Sequence, residues 1–181
     1  MTIQEKQKVF ESELNMIQDT RIRNEVARLV GLCDDYFFTI PASSTGKYHP
    51  SFCLGDGGLV NHTKATCAIA EHLIDLEMFS SLKCDYDYMI GALILHDCQK
   101  TGGGKYSRAD HPILAAQFIE SNCIDIQIGF KLADLVKTHM GQWNTEWNSN
   151  KEIMPKPKTP QQKFVHLCDY LASRKNVEVL I

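Results

Sequence analysis

The segment Tyr88-Met89-Ile90-Gly91-Ala92-Leu93-Ile94-Leu95 is apolar almost throughout and ends in His96-Asp97. It reads as a buried helix that delivers an imidazole and a carboxylate side by side, then stops at Gln99-Lys100-Thr101-Gly102-Gly103-Gly104. Such groups are costly in an interior unless something compensates them, and a buried Asp is rarely tolerated unpaired. Any fold of this chain must supply that compensation. A bound cation would do so. A Lys or Arg would be the alternative, and few basic residues share the stripes concerned.

Helical spacing dominates the rest of the sequence. Thr2-Ile3-Gln4-Glu5 has the capping-box form and predicts a helix over about residues 3–17. Thr20 opens a second, with Ile22, Val26, Leu29 and Val30 on one stripe. Further helices are expected over about 59–77, 86–98, 111–122 and 125–139. Thr159-Pro160-Gln161-Gln162 is a start signal for a last helix to about Lys175. Two long irregular stretches, about 34–58 and 141–158, hold four of the six Pro and five of the eleven Gly; loops of that length in a compact domain are usually functional or mobile. No strand alternation, repeat or low-complexity tract stands out. The expected fold is all-α, and 181 residues suit one domain, with N-terminal helices and a loop over 1–47 and a core over 48–175.

On those helices the polar residues fall on apolar faces. His62 shares a three-four spacing with Leu59, Thr66, Ile69 and Leu73; His96 shares one with Met89, Ala92 and Leu93. His139 follows Leu132, Leu135 and Val136; His111 leads Leu114, Ala115 and Phe118; Asp169 lies between Val165 and Ala172. A single inward His is commonly a satisfied core residue. Four of them with two inward carboxylates, Asp97 and Asp169, are explained together by shared metal coordination. His72, ten residues after His62, lies off the stripe and reads with His166 as structural or solvated.

A net charge of −3 gives no electrostatic footprint of a duplex nucleic-acid binder, and no apolar stretch approaches the roughly 18 residues of a membrane span. Seven scattered cysteines without a C-x-x-C pair, and an N-terminus without a signal pattern, predict reduced thiols and a cytoplasmic protein.

The order His62, His96-Asp97, Asp169, with Gly57-Gly58-Leu59-Val60-Asn61-His62-Thr63 before the first ligand and His166-Leu167-Cys168-Asp169-Tyr170 at the last, resembles the signature of the HD phosphohydrolase superfamily, an all-helical fold. Thr138-His139-Met140-Gly141 and the segment after it resemble the catalytic half of bacterial 3′-to-5′ exoribonucleases in that superfamily. The family commonly writes His-Asp-Ile-Gly-Lys where this chain has His96-Asp97-Cys98-Gln99-Lys100, keeping the lysine and losing the glycine. Met140 after His139, and the lack of Gly-Tyr-Pro, set it apart from the cyclic-dinucleotide-cleaving subgroup.

The resemblance implies a metal-dependent phosphohydrolase acting on a nucleotide or on the 3′ end of a short single-stranded nucleic acid. It places His62, His96, Asp97 and Asp169 around one divalent ion, with His111 and His139 completing a second site and Asp97 bridging. With a single ion, those two histidines would contact the phosphate or act as acid. Imidazole and carboxylate ligands suit Mn²⁺, Fe²⁺, Co²⁺, Ni²⁺ or Zn²⁺, with Mg²⁺ also open. Two ions roughly 3.5–4 Å apart would activate water for in-line attack. Catalysis falls to Asp97 and Lys100, the lysine stabilising phosphoryl charge or, alternatively, balancing a helix dipole as a solvated residue. Lys105 and Arg108 are further phosphate candidates. Gln142 and Trp143, with Tyr48, His49 and Trp147, are expected to border the substrate, an aromatic ring there stacking on a base or merely capping the core. Two other readings share the ligand set: a di-iron oxygenase of the same fold acting on a small organic substrate, and a non-catalytic module whose metal supports the fold.

Overall fold

The Thr2 hydroxyl accepts from the Glu5 amide while the Glu5 carboxylate accepts from the Thr2 amide, so the expected capping box forms and starts a helix at Ile3. The structure, a computed structural model describing residues 1–43, 46–146, 148–177 and 179, is all-α. Its described helices are α1 (Ile3–Val9), α2 (Glu11–Asn15), α3 (Thr20–Leu32), α4 (Gly58–Leu73), α5 (Tyr86–Leu95), α6 (His111–Asn122), α7 (Ile126–Val136) and α8 (Pro160–Ala172). Among the described residues the only β pairing is an isolated antiparallel bridge between Thr145 and Glu152.

The apolar run becomes α5, and every residue from Met89 to Leu95 is buried. It packs against α3, α4, α7 and α8, which explains why it has no polar face. One apolar cluster joins all these helices, making a single-domain bundle. The helix expected over 3–17 is broken at Phe10, whose φ of −108° and ψ of 23° leave the helical region. Phe10 is fully buried and stacks on Phe37 at 5.6 Å between ring centroids. Turning there, the chain also buries Leu14 and Ile17, which a straight helix would carry along one line.

The stretch over 34–58 is irregular as expected, apart from short 3-10 turns at Asp35–Phe38 and Ser51–Cys53. A longer 3-10 segment, Glu77–Asp85, joins α4 to α5, between the helices expected over about 59–77 and 86–98. At α8 the second capping box forms: Thr159 Oγ accepts from the Gln162 amide and Gln162 Oε1 accepts from the Thr159 amide. Gln162 also donates to Asp134 Oδ2 at 2.9 Å, tying the start of α8 to α7. Helix α8 lies along α4, which brings Asp169 to His62. No described helix is long and apolar enough to cross a membrane, and all seven cysteines are free.

Candidate metal centre

Helix α5 ends one residue before His96, and α7 ends three residues before His139, so both histidines lie in the turns that close their helices rather than inside them. The stripe spacing still predicts their direction because tight turns continue the winding; the His139 amide donates to the Val136 carbonyl at 3.2 Å. His62 comes from the middle of α4, His111 opens α6, and Asp169 comes from the last turns of α8.

All six residues named from the sequence converge. They form two groups of three, His62 with His96 and Asp169, and Asp97 with His111 and His139, each with its ligand atoms within 4.8 Å of one another. Asp97 lies between the groups. Its Oδ1 is 2.9 Å from His111 Nε2 and 3.6 Å from His139 Nε2, while its Oδ2 is 3.5 Å from His96 Nε2. His62 Nε2 is 3.0 Å and His96 Nε2 3.7 Å from Asp169 Oδ1.

The backbone fixes which nitrogen faces inward. The Nδ1–H groups of His96, His111 and His139 donate to the carbonyls of Leu93, Arg108 and Val136 at 2.6, 2.7 and 2.8 Å. A neutral imidazole with its proton on Nδ1 presents a lone pair at Nε2, the form a metal binds. His111 and His139 then bring their Nε2 atoms to 3.1 Å, and His96 and His62 theirs to 3.3 Å. Lone pairs at such distances repel unless a cation or a proton lies between them. Asp97 Oδ1 is buried and receives no hydrogen bond of acceptable geometry despite its nearness to His111. The donor set, its convergence and this orphaned oxygen all fit a divalent ion.

Burial, with the Lys100 ammonium adding to it, pushes the His111 imidazole down to about 4 against the usual 6.5, overriding the pull of Asp97. Burial lowers His62 as well, and lowers His49 to about 4. Burial would also lower His96, but the carboxylates of Asp97 and Asp169 outweigh it and raise that ring. Burial works against the charge on Asp97, yet Lys100, His96 and His111 together hold the carboxyl well below its ordinary range.

These shifts give a pH signature to the metal-depleted protein. The unfolded chain takes up protons on His111, His62 and His49 below about 6.5 while the folded chain resists them, so stability falls as pH drops toward about 4. His96 acts in the opposite sense, being raised, and offsets only part of the loss. Urea unfolding is expected to show a lower midpoint at about pH 4.5 than at about pH 7; equal midpoints would contradict the placement of these rings.

Lys100 corrects an expectation. The sequence offered no obvious basic partner for Asp97, yet Lys100 Nζ donates to Asp97 Oδ2 at 2.7 Å, with its side chain 15% exposed. It is no solvated helix-end lysine. One ammonium on one oxygen leaves Asp97 Oδ1 and the facing ring nitrogens of His111 and His139 unanswered, so it does not replace the cation.

Beside the cluster opens a cavity of about 890 Å³, reached by His62, Asp169 and Lys100. Gln142, Trp143, Tyr48 and His49, from the two irregular stretches, line it. Lys105 and Arg108 are not among its lining residues: Arg108 is held by Asp110 through two bonds of 2.8 and 2.7 Å, and Lys105 lies over its exposed neighbour Tyr106. Arg108 instead serves the site through its carbonyl, which orients His111. Trp147 lies outside the described residues. His72 is exposed on α4, whereas His166 is structural: its Nδ1–H donates to the His139 carbonyl at 2.6 Å. Gly141, with φ +59°, passes over that ring so closely that an added Cβ would sit 2.2 Å from it. Tyr170 and Arg174, which the sequence did not single out, also line the cavity. Their nearness to Asp169 in the chain was the available signal. No protein-family model, curated protein or solved structure matches the chain.

Proposed function

We propose that the protein is a metal-dependent phosphohydrolase of the HD type, cleaving a phosphate ester of a nucleotide or of a nucleic-acid 3′ end. The observation that carries this reading is the convergence of His62, His96, Asp97, His111, His139 and Asp169 beside a cavity that Lys100 also lines. When bound, one or two divalent ions supply Lewis acidity and a water acidified toward neutral pH. The chain's own residues do the rest. The carbonyls of Leu93, Arg108 and Val136 hold three imidazoles with Nε2 facing inward, so none of these rings has to turn first. Asp97 offers a carboxylate to both ligand groups. Lys100 keeps one of its three donors on Asp97, leaving two for phosphoryl oxygens. Charge developing on those oxygens meets a fixed ammonium in a partly desolvated wall, where such stabilisation is strongest.

The test is metal analysis of the purified protein, then assay with Mn²⁺ on nucleotides, dinucleotides and short single strands. Metal-dependent release of phosphate or nucleotide is expected. Activity on a generic phosphodiester but not on a monoester would assign the nuclease branch. Bound iron with turnover that needs oxygen, and no ester hydrolysis, would replace this reading with the oxygenase one.

A further inference from the structure

The cavity is far larger than its ligand-bearing end requires. A water molecule takes about 30 Å³ of liquid, so a phosphoryl group at the metal centre fills a small part of about 890 Å³. At the wall formed by the end of α8 and the loop after α7, Arg174 collects three aromatic rings. Its guanidinium carbon is 4.6 Å from the centroid of Tyr170, 5.5 Å from Tyr48 and 5.8 Å from Trp143. Trp143 and Tyr170 are themselves stacked, 5.6 Å apart and 16° from parallel. These rings are not packing the core: Trp143 is 43% and Tyr48 52% exposed, and both line the cavity.

Arg174 is unusual in its bonding as well. Among the described residues its Nε and one Nη donate to Ser173 Oγ and no carboxylate pairs with it. A guanidinium has five donors and two flat faces, and is weakly hydrated, so it stacks readily and keeps its edge for another acceptor. Flat rings and a flat cation, facing open space on a cavity that ends in phosphate chemistry, match a planar heterocycle attached to a phosphate. We infer that Tyr48, Trp143, Tyr170 and Arg174 form a nucleobase subsite, so that the substrate is recognised by its base as well as by its phosphate. This rests on the phosphohydrolase reading for the site's other end, but its test does not.

The test is calorimetric titration of the full, metal-depleted chain, in which no turnover occurs. The probes are adenosine 5′-monophosphate, ribose 5-phosphate and pentaadenylate. Stacking on such platforms makes the adenosine nucleotide about tenfold or more tighter than ribose 5-phosphate. Arg174→Ala and Tyr48→Ala are expected to shrink that ratio toward one. Arg174→Lys, which keeps the charge and loses the plane, is expected to shrink it too, and it guards against an alanine variant that fails to fold. Pentaadenylate binding more tightly than the mononucleotide would assign the subsite to strand ends, and the reverse to free nucleotides. Equal binding of adenosine 5′-monophosphate and ribose 5-phosphate, or a ratio unmoved in all folded variants, would overturn the subsite. A base preference without any metal-dependent hydrolysis would retain the subsite and sink the phosphohydrolase reading instead.

Discussion

Asp97→Ala is expected to lower turnover by at least about a hundredfold and to release the bound ion. The carboxylate stands between the two ligand groups, 2.9 Å from His111 Nε2 through one oxygen and 3.5 Å from His96 Nε2 through the other. Removing it takes a ligand from both groups and leaves the buried ammonium of Lys100 without its partner at 2.7 Å. An uncompensated buried charge is itself destabilising, so the variant's melting curve has to be recorded beside its activity. Metal content separates the two effects: a folded variant without its ion is the expected result. A variant that keeps both the ion and wild-type turnover would refute the assignment of the centre.

The second large effect is structural and lies at the start of the helix carrying His62. Gly58→Ala is expected to destabilise the protein by about 3 kcal/mol or more, read as a lowered denaturation midpoint. A Cβ at this position would lie 2.1 Å from the Cys53 carbonyl oxygen and 3.1 Å from Pro41 Cα, both backbone atoms. The crowding has a reason. The segment 39–42 supplies the carbonyls that cap this helix: Gly57 N–H donates to Thr39 O and Leu59 N–H to Ile40 O, both at 2.9 Å. Ala42 N–H donates to Cys53 O at 3.1 Å, locking that strip against the turn. With no side-chain cap at Gly57, the helix depends on these backbone partners. Gly55→Ala in the same loop is the control. Its Cβ would meet nothing within 4 Å, so only the strain of φ +74° remains, about 1 kcal/mol. Equal losses in the two variants would show that the clash at Gly58 is relieved by movement.

The six converging residues were legible because each shares a helical stripe with apolar residues, and a stripe has a direction even before its partner is known. His96 and His139 show how robust that direction is, since both sit beyond their helices and still point inward. The bundle itself was legible from the same spacing and from two capping boxes that form as written. What escaped were contacts decided by tertiary packing. Nothing in Thr2–Ile17 marks the break at Phe10, because its cause is the ring of Phe37 some distance along the chain. Chain proximity suggested that Arg108 and Lys105 would serve the substrate, but Asp110 takes up Arg108 first. The pairing of Lys100 with Asp97 was hidden because a lysine at a helix end is ordinarily solvated. Tyr48 and Trp143 were expected beside the substrate, but their meeting with Arg174 at one wall is made by the fold.

The cavity is made of two kinds of material. Its deep end belongs to helices packed around α5, whose residues from Met89 to Leu95 are all sealed from solvent. Much of its outer wall comes from irregular chain, with Tyr48 and His49 in one stretch and Gln142, Trp143, Asn148 and Asn150 in the other, all outside the helices of the bundle. Exchanges in the outer wall therefore cost little folding free energy, while exchanges at the deep end disturb the whole molecule. An exchange in the outer wall changes what the cavity admits while leaving the six converging imidazoles and carboxylates where they are.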